Sequence, residues 1–486
     1  MRWLHALELT AAVTLLSCPA LAATLKVGPG QAYATPCAAF QAAADGDTVE
    51  IDGSGSYAGD TCAITKSRLV IRGTGTKRAH IDAAGKNALG KGIWVVQGSD
   101  TTIENIEFSG ATVPDDNGAG IRQEGKNLTV RGCSFHDNQN GILAGDVVGS
   151  EILVERSEFD HNGAGDGYSH NLYINHVAKL TFQYNYSHRA VVGHLLKSRA
   201  AENHILYNRL SGESDGTQSY EIDCPNGGLT YVIGNLVEQG ATSQNPALMA
   251  YLEEGANALN PSDQLFVANN SFVNNLGRGT FVNVGAAAVT PAVLVNNAFF
   301  GGGTVCSQAS ASLSHNYEGK VSCFVDVTAL ELHLAPGSPC ENAGVDPGAG
   351  AGLSLLPKFQ YLHPAASEAR PTAGTIDIGA FEFAAGTGGA PTTGGAPTTG
   401  GAVTTGGAVT TGGAVTTGGR ESGGSAATTS GAGTLGNGGS SAASTSDSGC
   451  SCRLHDASGT EGSRYYLSLL AALLVRRRRC GARRGR

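Results

Sequence analysis

The sequence predicts an all-β protein: a right-handed parallel β-helix, a solenoid of single-strand coils with an N-terminal cap, followed by a disordered Gly/Thr-rich stalk. Two observations predict the solenoid. First, a short strand ending in an Asn-type turn recurs, as TTIENIEFSG, LTVRGCSFHDN, ILVERSEFDHNG, LTFQYNYSH, HILYNRLSG, TYVIGNLVEQ, LFVANNSFVNN and AVLVNNAFFGG. Successive copies lie about 23 to 29 residues apart with one longer gap near Pro261, a period that implies stacked coils rather than a closed globule. Second, helical periodicity is confined to one amphipathic stretch, residues 37 to 44. A third, the collapse of composition after about Gly386 into copies of GGAPTTGGAVTT, predicts the stalk, because such a segment buries too little to recover its ordering entropy.

In chain order, residues 1–22 carry an early Arg2, an apolar run and the small-residue ending Ala20-Leu21-Ala22, the pattern of a secretory signal peptide. Residues 23–68, with the amphipathic stretch and GDTVEI, form the cap and first coil that cover an otherwise open sheet edge. Residues 69–320 form the β-helix proper. Residues 321–385, with PGSPCENAG and GTIDIGAFEF, form a closing segment. Residues 386–448 are the linker. The last segment, 449–486, holds Cys450, Cys452, an apolar run from Tyr465 to Val475 and the arginines Arg476 to Arg479. That run is about half the roughly 20 residues a bilayer span needs, so it reads as a sorting signal rather than a membrane helix.

Stacking dictates what the recurring residues do. One coil cannot bury its apolar face, but stacked coils set like above like, giving inward aliphatic columns and turn amides that hydrogen-bond along the axis. Asn208, Asn235, Asn270 and Asn297 are therefore expected to be structural.

Cysteine use points to an oxidising compartment, with Cys37 and Cys62 as the expected disulfide and two of Cys306, Cys323 and Cys340 as a further one. Cys133, Cys224 and the rest bring the ectodomain count to an odd number, so at least one thiol is left over. The net charge of -9 argues against nucleic acid as a partner. An exported monomer at the outer cell surface or in the medium is expected.

Chemistry is expected where outward residues of neighbouring coils gather. If Leu172 and Ile174 face inward, Asn171, Tyr173 and Asn175 face out, and if Ile222 faces inward, Glu221 and Asp223 face out. VVGHLLKSRAAENHILYNRL lies between them, so Tyr173, His194, Lys197, Arg199, Glu221 and Asp223 are expected on one lateral face. The loop NGAGDGYSHN brings His161, Asp166 and His170 to its rim, with Asn171, His170 and Asp166 as substrate contacts.

These types fit two reactions. β-Elimination on a uronic-acid polymer needs a base, an acid and a neutralising cation, roles open to Lys197, to His194 or Tyr173, and to Arg199 or a calcium held by Glu221 and Asp223. Hydrolysis needs two carboxylates flanking the bond, for which Glu221 and Asp223 are the candidates. The plain alternative is that Lys197 and Glu221 form a solvated ion pair worth under about 1 kcal/mol and that His161, His176, His188 and His204 are surface or turn residues. In that case the rod is a non-catalytic adhesin or matrix component.

The ectodomain resembles secreted right-handed β-helix repeat proteins of the pectin-lyase-like superfamily, with Asp377-Ile378-Gly379-Ala380-Phe381-Glu382 similar to their closing segment. Over about two coils, LLKSRAAENHILYNRL resembles the β-helical alginate lyase and chondroitinase B family, which implies that Lys197 takes the catalytic-base position. The Arg-His-Gly segment of that family's next coil is replaced here by SYEIDCPNGG. The tail resembles the MYXO-CTERM signal of myxobacterial surface proteins at Gly449, Cys450 and Cys452, which implies recognition by outer-surface sorting machinery. Together these resemblances imply an extracellular polysaccharide as the partner.

Overall fold

The computed structural model describes residues 21–372 and 374–383. Over this range the chain coils into three long parallel sheets. Sheet I has twelve strands, from Thr24–Val27 to Ser312–Ser314; sheet II has ten, from Cys62–Ile64 to Thr304–Cys306; sheet III has ten, from Ala79–Asp82 to Tyr317–Glu318. From Val70–Thr74 to Thr304–Cys306 each coil contributes one strand to each sheet, so every neighbour in a sheet comes from the next coil. The fold is a right-handed parallel β-helix.

Like does stack on like. In sheet I, Leu25, Val49, Ile71, Ile103, Val130, Val154, Phe182, Ile205, Val232, Val267, Leu294 and Leu313 occupy one register position in successive coils. In sheet III the inward rings of Phe108, Phe135 and Phe159 stack face to face, with centroids 5.1 and 4.8 Å apart. Apart from Leu313, exposed on the last strand of sheet I, these columns are the core, and burying each large apolar side chain is worth about 1.5–3 kcal/mol.

The turn from sheet I to sheet III carries the amide ladder. Asn185, Asn208, Asn235, Asn270, Asn297 and Asn316 each pass a side-chain hydrogen bond to the next, Nδ2 to Oδ1, at 2.9–3.1 Å. Each Nδ2 also donates to a strand carbonyl of the preceding coil, as Asn235 does to Ile205 O at 2.8 Å. The residue before each has a positive φ, from Tyr184 at 60° to His315 at 48°, so one left-handed residue turns the chain and the amide locks the turn. The expected structural role of Asn208, Asn235, Asn270 and Asn297 holds.

At the N-terminal end the helix Pro36–Ala42 sets Phe40 edge-on to Trp94, with centroids 5.1 Å apart, and Cys37–Cys62 ties this helix to sheet II. Cys323–Cys340 is the second disulfide, leaving Cys133, Cys224 and Cys306 as free thiols among the described residues. The closing segment runs back along the flank of the solenoid. Tyr231 Oη donates to Gly350 O, the Lys358 amide donates to Tyr207 Oη, and His363 sits edge-on to Tyr186. Its last turn is fixed by Arg370, which pairs with Glu382 at 3.0 Å and bonds the carbonyls of Gly379 and Ala380, all buried. No helix among the described residues is long and apolar enough to cross a membrane. The expected signal peptide, the linker and the tail with Cys450 and Cys452 lie outside the described residues, apart from the last two residues of the signal.

Candidate ligand-binding face on sheet II

Three short strands of sheet II build the site. In Leu172–Ile174 both leucine and isoleucine are fully buried, so the two-residue period turns Tyr173 outward. Tyr173 is the register partner of Lys197, and Lys197 of Asp223, which places the three in one outward column at successive coils. Arg199 follows Lys197 by two residues and shares its face. The chain enters through Gly193, where a Cβ would sit 1.8 Å from the Ser169 carbonyl, so only glycine lets the two coils approach and bring His194 over His170.

The cations are braced by carboxylates. Lys197 Nζ lies 3.4 Å from Asp223 Oδ2 and 3.5 Å from Glu254 Oε1, and Arg199 Nη2 lies 2.6 Å from Glu254 Oε2. Arg199 also donates from Nε to Tyr173 Oη at 2.8 Å and from Nη1 to Asn226 Oδ1. Lys197 Nζ stands 5.5 Å from the centre of the Tyr173 ring. Behind this layer the rings of His170 and His194 stack 4.4 Å apart, the His194 amide donates to His170 Nδ1, and His194 Nε2 lies 3.4 Å from Asp223.

Burial sets the protonation states. It works against the charge on Lys197, but Asp223 and Glu254 outweigh it and hold the ammonium above its ordinary 10.5. Asp223 itself is pushed up to about 6 by burial, which Lys197 and Arg199 offset only in part. Burial, then the neighbouring cations, holds both histidines well below 6.5 and therefore neutral. Lys197 is thus a charged group in this arrangement, suited to neutralising a carboxylate, and becomes a base only in alkaline medium.

Several expected members lie elsewhere. Glu221 does not share the outward face with Asp223: it is fully buried, accepts from Gln218 Nε2 at 3.0 Å, and is held well above the carboxylate range by burial. The two-residue period fails there because Glu221 precedes the strand Ile222–Cys224 and turns into the corner. Calcium bridging and paired-carboxylate hydrolysis through Glu221 and Asp223 lose their geometry with it. Asn171 also faces inward, accepting from Asn162 and donating to Ser187 Oγ and His188 O. His170 is 1% exposed and backs Tyr173 rather than meeting solvent. Asp166 binds the amides of Tyr168 and Ser169, shaping its own loop. His161 pairs with Asp160 and Asp215, and His204 with Glu202 on sheet I. His176 touches Asn257, and His188 lies buried against Tyr186.

Sequence reasoning overlooked Glu254 and Asn226. Both follow strands of the adjoining coils, in CPNGG and YLEEG; one coil onward from Arg199 the register falls on Pro225, beside Asn226.

Comparison with known proteins agrees with the fold. The model of the right-handed beta helix region matches residues 50–237. Among solved structures, the crystal structure of pectate lyase Pel9A superposes with a TM-score of 0.52 at 14% identity, over 75% of this chain and 97% of that chain. At that identity the likeness concerns the fold. No curated protein matches this sequence.

Proposed function

We propose that the sheet II face from Tyr173 to Glu254 binds an extracellular polysaccharide bearing carboxylates, and that β-elimination is the cleavage chemistry its groups serve. One observation carries this reading. Lys197 and Arg199 converge on a single carboxylate, that of Glu254, in the way they would hold a uronate. Tyr173 beside them offers a ring for a sugar face and a hydroxyl that already accepts from Arg199, so its own proton is left for a sugar oxygen. The match to a lyase-bearing fold and the two disulfides, which suit an oxidising compartment, support the setting. Export through residues 1–22 and surface sorting through the tail at Cys450 and Cys452 belong to the same reading.

For the elimination step, Arg199 neutralises the substrate carboxylate, Lys197, once deprotonated, takes the adjacent C–H proton, and Tyr173 Oη gives its proton to the glycosidic oxygen as the C–O bond breaks and the C=C bond forms. Because Lys197 is held above 10.5, cleavage should climb with pH throughout the neutral range and beyond, without levelling off. The test is a panel of uronic-acid and neutral polysaccharides, followed by binding and by the absorbance of unsaturated products. Binding to acidic polymers with rising alkaline absorbance supports both parts. Binding without products at any pH removes the elimination step, and a preference for neutral polymers removes the reading altogether.

A further inference from the structure

A second cluster stands on sheet III, away from the face just described. Strands Ala79–Asp82, Ile106–Ser109 and Ser134–His136 lie side by side, with Ile81, Phe108 and Phe135 fully buried. Their alternate residues His80, Glu107 and His136 therefore point outward. His80 is the register partner of Glu107, and His136 that of Ser109, so the glutamate is approached from both neighbouring coils. His136 Nε2 lies 3.0 Å and His80 Nε2 3.8 Å from the same oxygen, Glu107 Oε1, and the three candidate ligand atoms all fall within 4.8 Å of one another.

We propose that His80, Glu107 and His136 form a binding site for a divalent transition-metal ion of the zinc class. Ligands at the usual zinc distances stand about 3.3 Å apart in a tetrahedron, and the two observed separations bracket that value. The support behind His136 is of the kind metal-ligating histidines have: its Nδ1 lies 2.8 Å from Asp137 Oδ2, which fixes the ring and turns Nε2 toward Glu107. The ring lies between two carboxylates, Nδ1 toward Asp137 and Nε2 toward Glu107, so in the metal-free protein both nitrogens donate and a bound cation would take the place of the Nε2 proton. Ser109 Oγ lies 2.7 Å from His80 Nε2, the same atom that faces Glu107, so this bond is given up when Nε2 takes the metal. Two imidazoles and one carboxylate select zinc, cobalt or nickel over calcium, whose ligands are oxygens. The three side chains keep 30–43% of their surface exposed, leaving a coordination position open to water. Bound metal would also tie three successive coils together and stabilise them by linkage.

The full chain, stripped with a chelator, is titrated with Co2+ and Zn2+, reading bound metal by dialysis, the visible Co2+ spectrum and Tm. The wild type should bind one equivalent more than His136→Ala and His80→Gln, subtraction removing metal held elsewhere in the chain. Zn2+ should raise the wild-type Tm and leave both variants unmoved, while Ca2+ shifts neither. Asp137→Asn should weaken binding ten- to a hundredfold while keeping the stoichiometry. Both variants lie on an outer face and should match the metal-free wild type in circular dichroism; if one misfolds, the other decides. Equal metal content and equal Tm response in wild type and folded variant would overturn the site.

Discussion

The amide ladder and the sheet II face use polar residues in opposite ways. In the ladder one residue type repeats at one register position, each side chain from Asn185 to Asn297 is fully buried, and each of these amides finds partners in the coils before and after it. On the sheet II face the residues change at every coil, from Tyr173 to Lys197 to Asp223, and charge is balanced across coils rather than repeated along them. In a solenoid, polar repetition marks structure and polar variation along one outward column marks a ligand-binding face.

The largest effect that would break this contrast lies in the ladder. Asn235→Ala removes three donated bonds, to Ile205 O, Ile233 O and Asn270 Oδ1, and the acceptor used by the amide and side chain of Asn208. At about 1–3 kcal/mol for each buried group left unpaired, denaturant unfolding should show a loss on the order of 4 kcal/mol. Ligand affinity of the folded fraction should stay as it was. A loss of affinity at full folding would show that the ladder takes part in binding.

Next comes the pH dependence written into Asp223. The folded protein holds this proton up to about 6 against an ordinary value of 3.8, so its contribution to stability is complete below 3.8 and is lost as pH rises through about 6. A rise of that size corresponds to about 3 kcal/mol. Urea titrations of wild type and Asp223→Asn should diverge over this window, the variant lacking that decline. Parallel curves would mean that Lys197 fully compensates the buried carboxylate.

A smaller effect sharpens the functional half. Glu254 competes with any incoming carboxylate for Lys197 and Arg199. Glu254→Gln should tighten binding of uronate oligomers roughly three- to tenfold, about 1 kcal/mol, while lowering stability, because Glu254 helps hold the buried Lys197 charged. Weaker binding would make Glu254 a direct ligand contact instead.

The fold was legible because the coil period, the inward aliphatics and the turn asparagines repeat along the chain, and repetition is what a sequence displays. The outward placement of Tyr173, Lys197 and Asp223 followed from strand alternation alone. Glu221 and Asn171 did not follow it, because each stands just outside a strand of three residues, where a corner replaces the two-residue period. Glu254 escaped notice because its partner Arg199 is 55 residues away, two coils off. His80, Glu107 and His136 are spread over three coils in the same fashion, and none carries a local motif.

The central claim is that the fork of Lys197 and Arg199 holds a carboxylate from the ligand. Calorimetric titration of a uronate oligosaccharide into wild type and Lys197→Ala, at neutral pH and low salt, tests it most directly. A loss of affinity of tenfold or more in a variant that keeps its circular dichroism is the predicted result. Equal affinity in the two proteins, or tighter binding of neutral than of acidic oligosaccharides by the wild type, would contradict it.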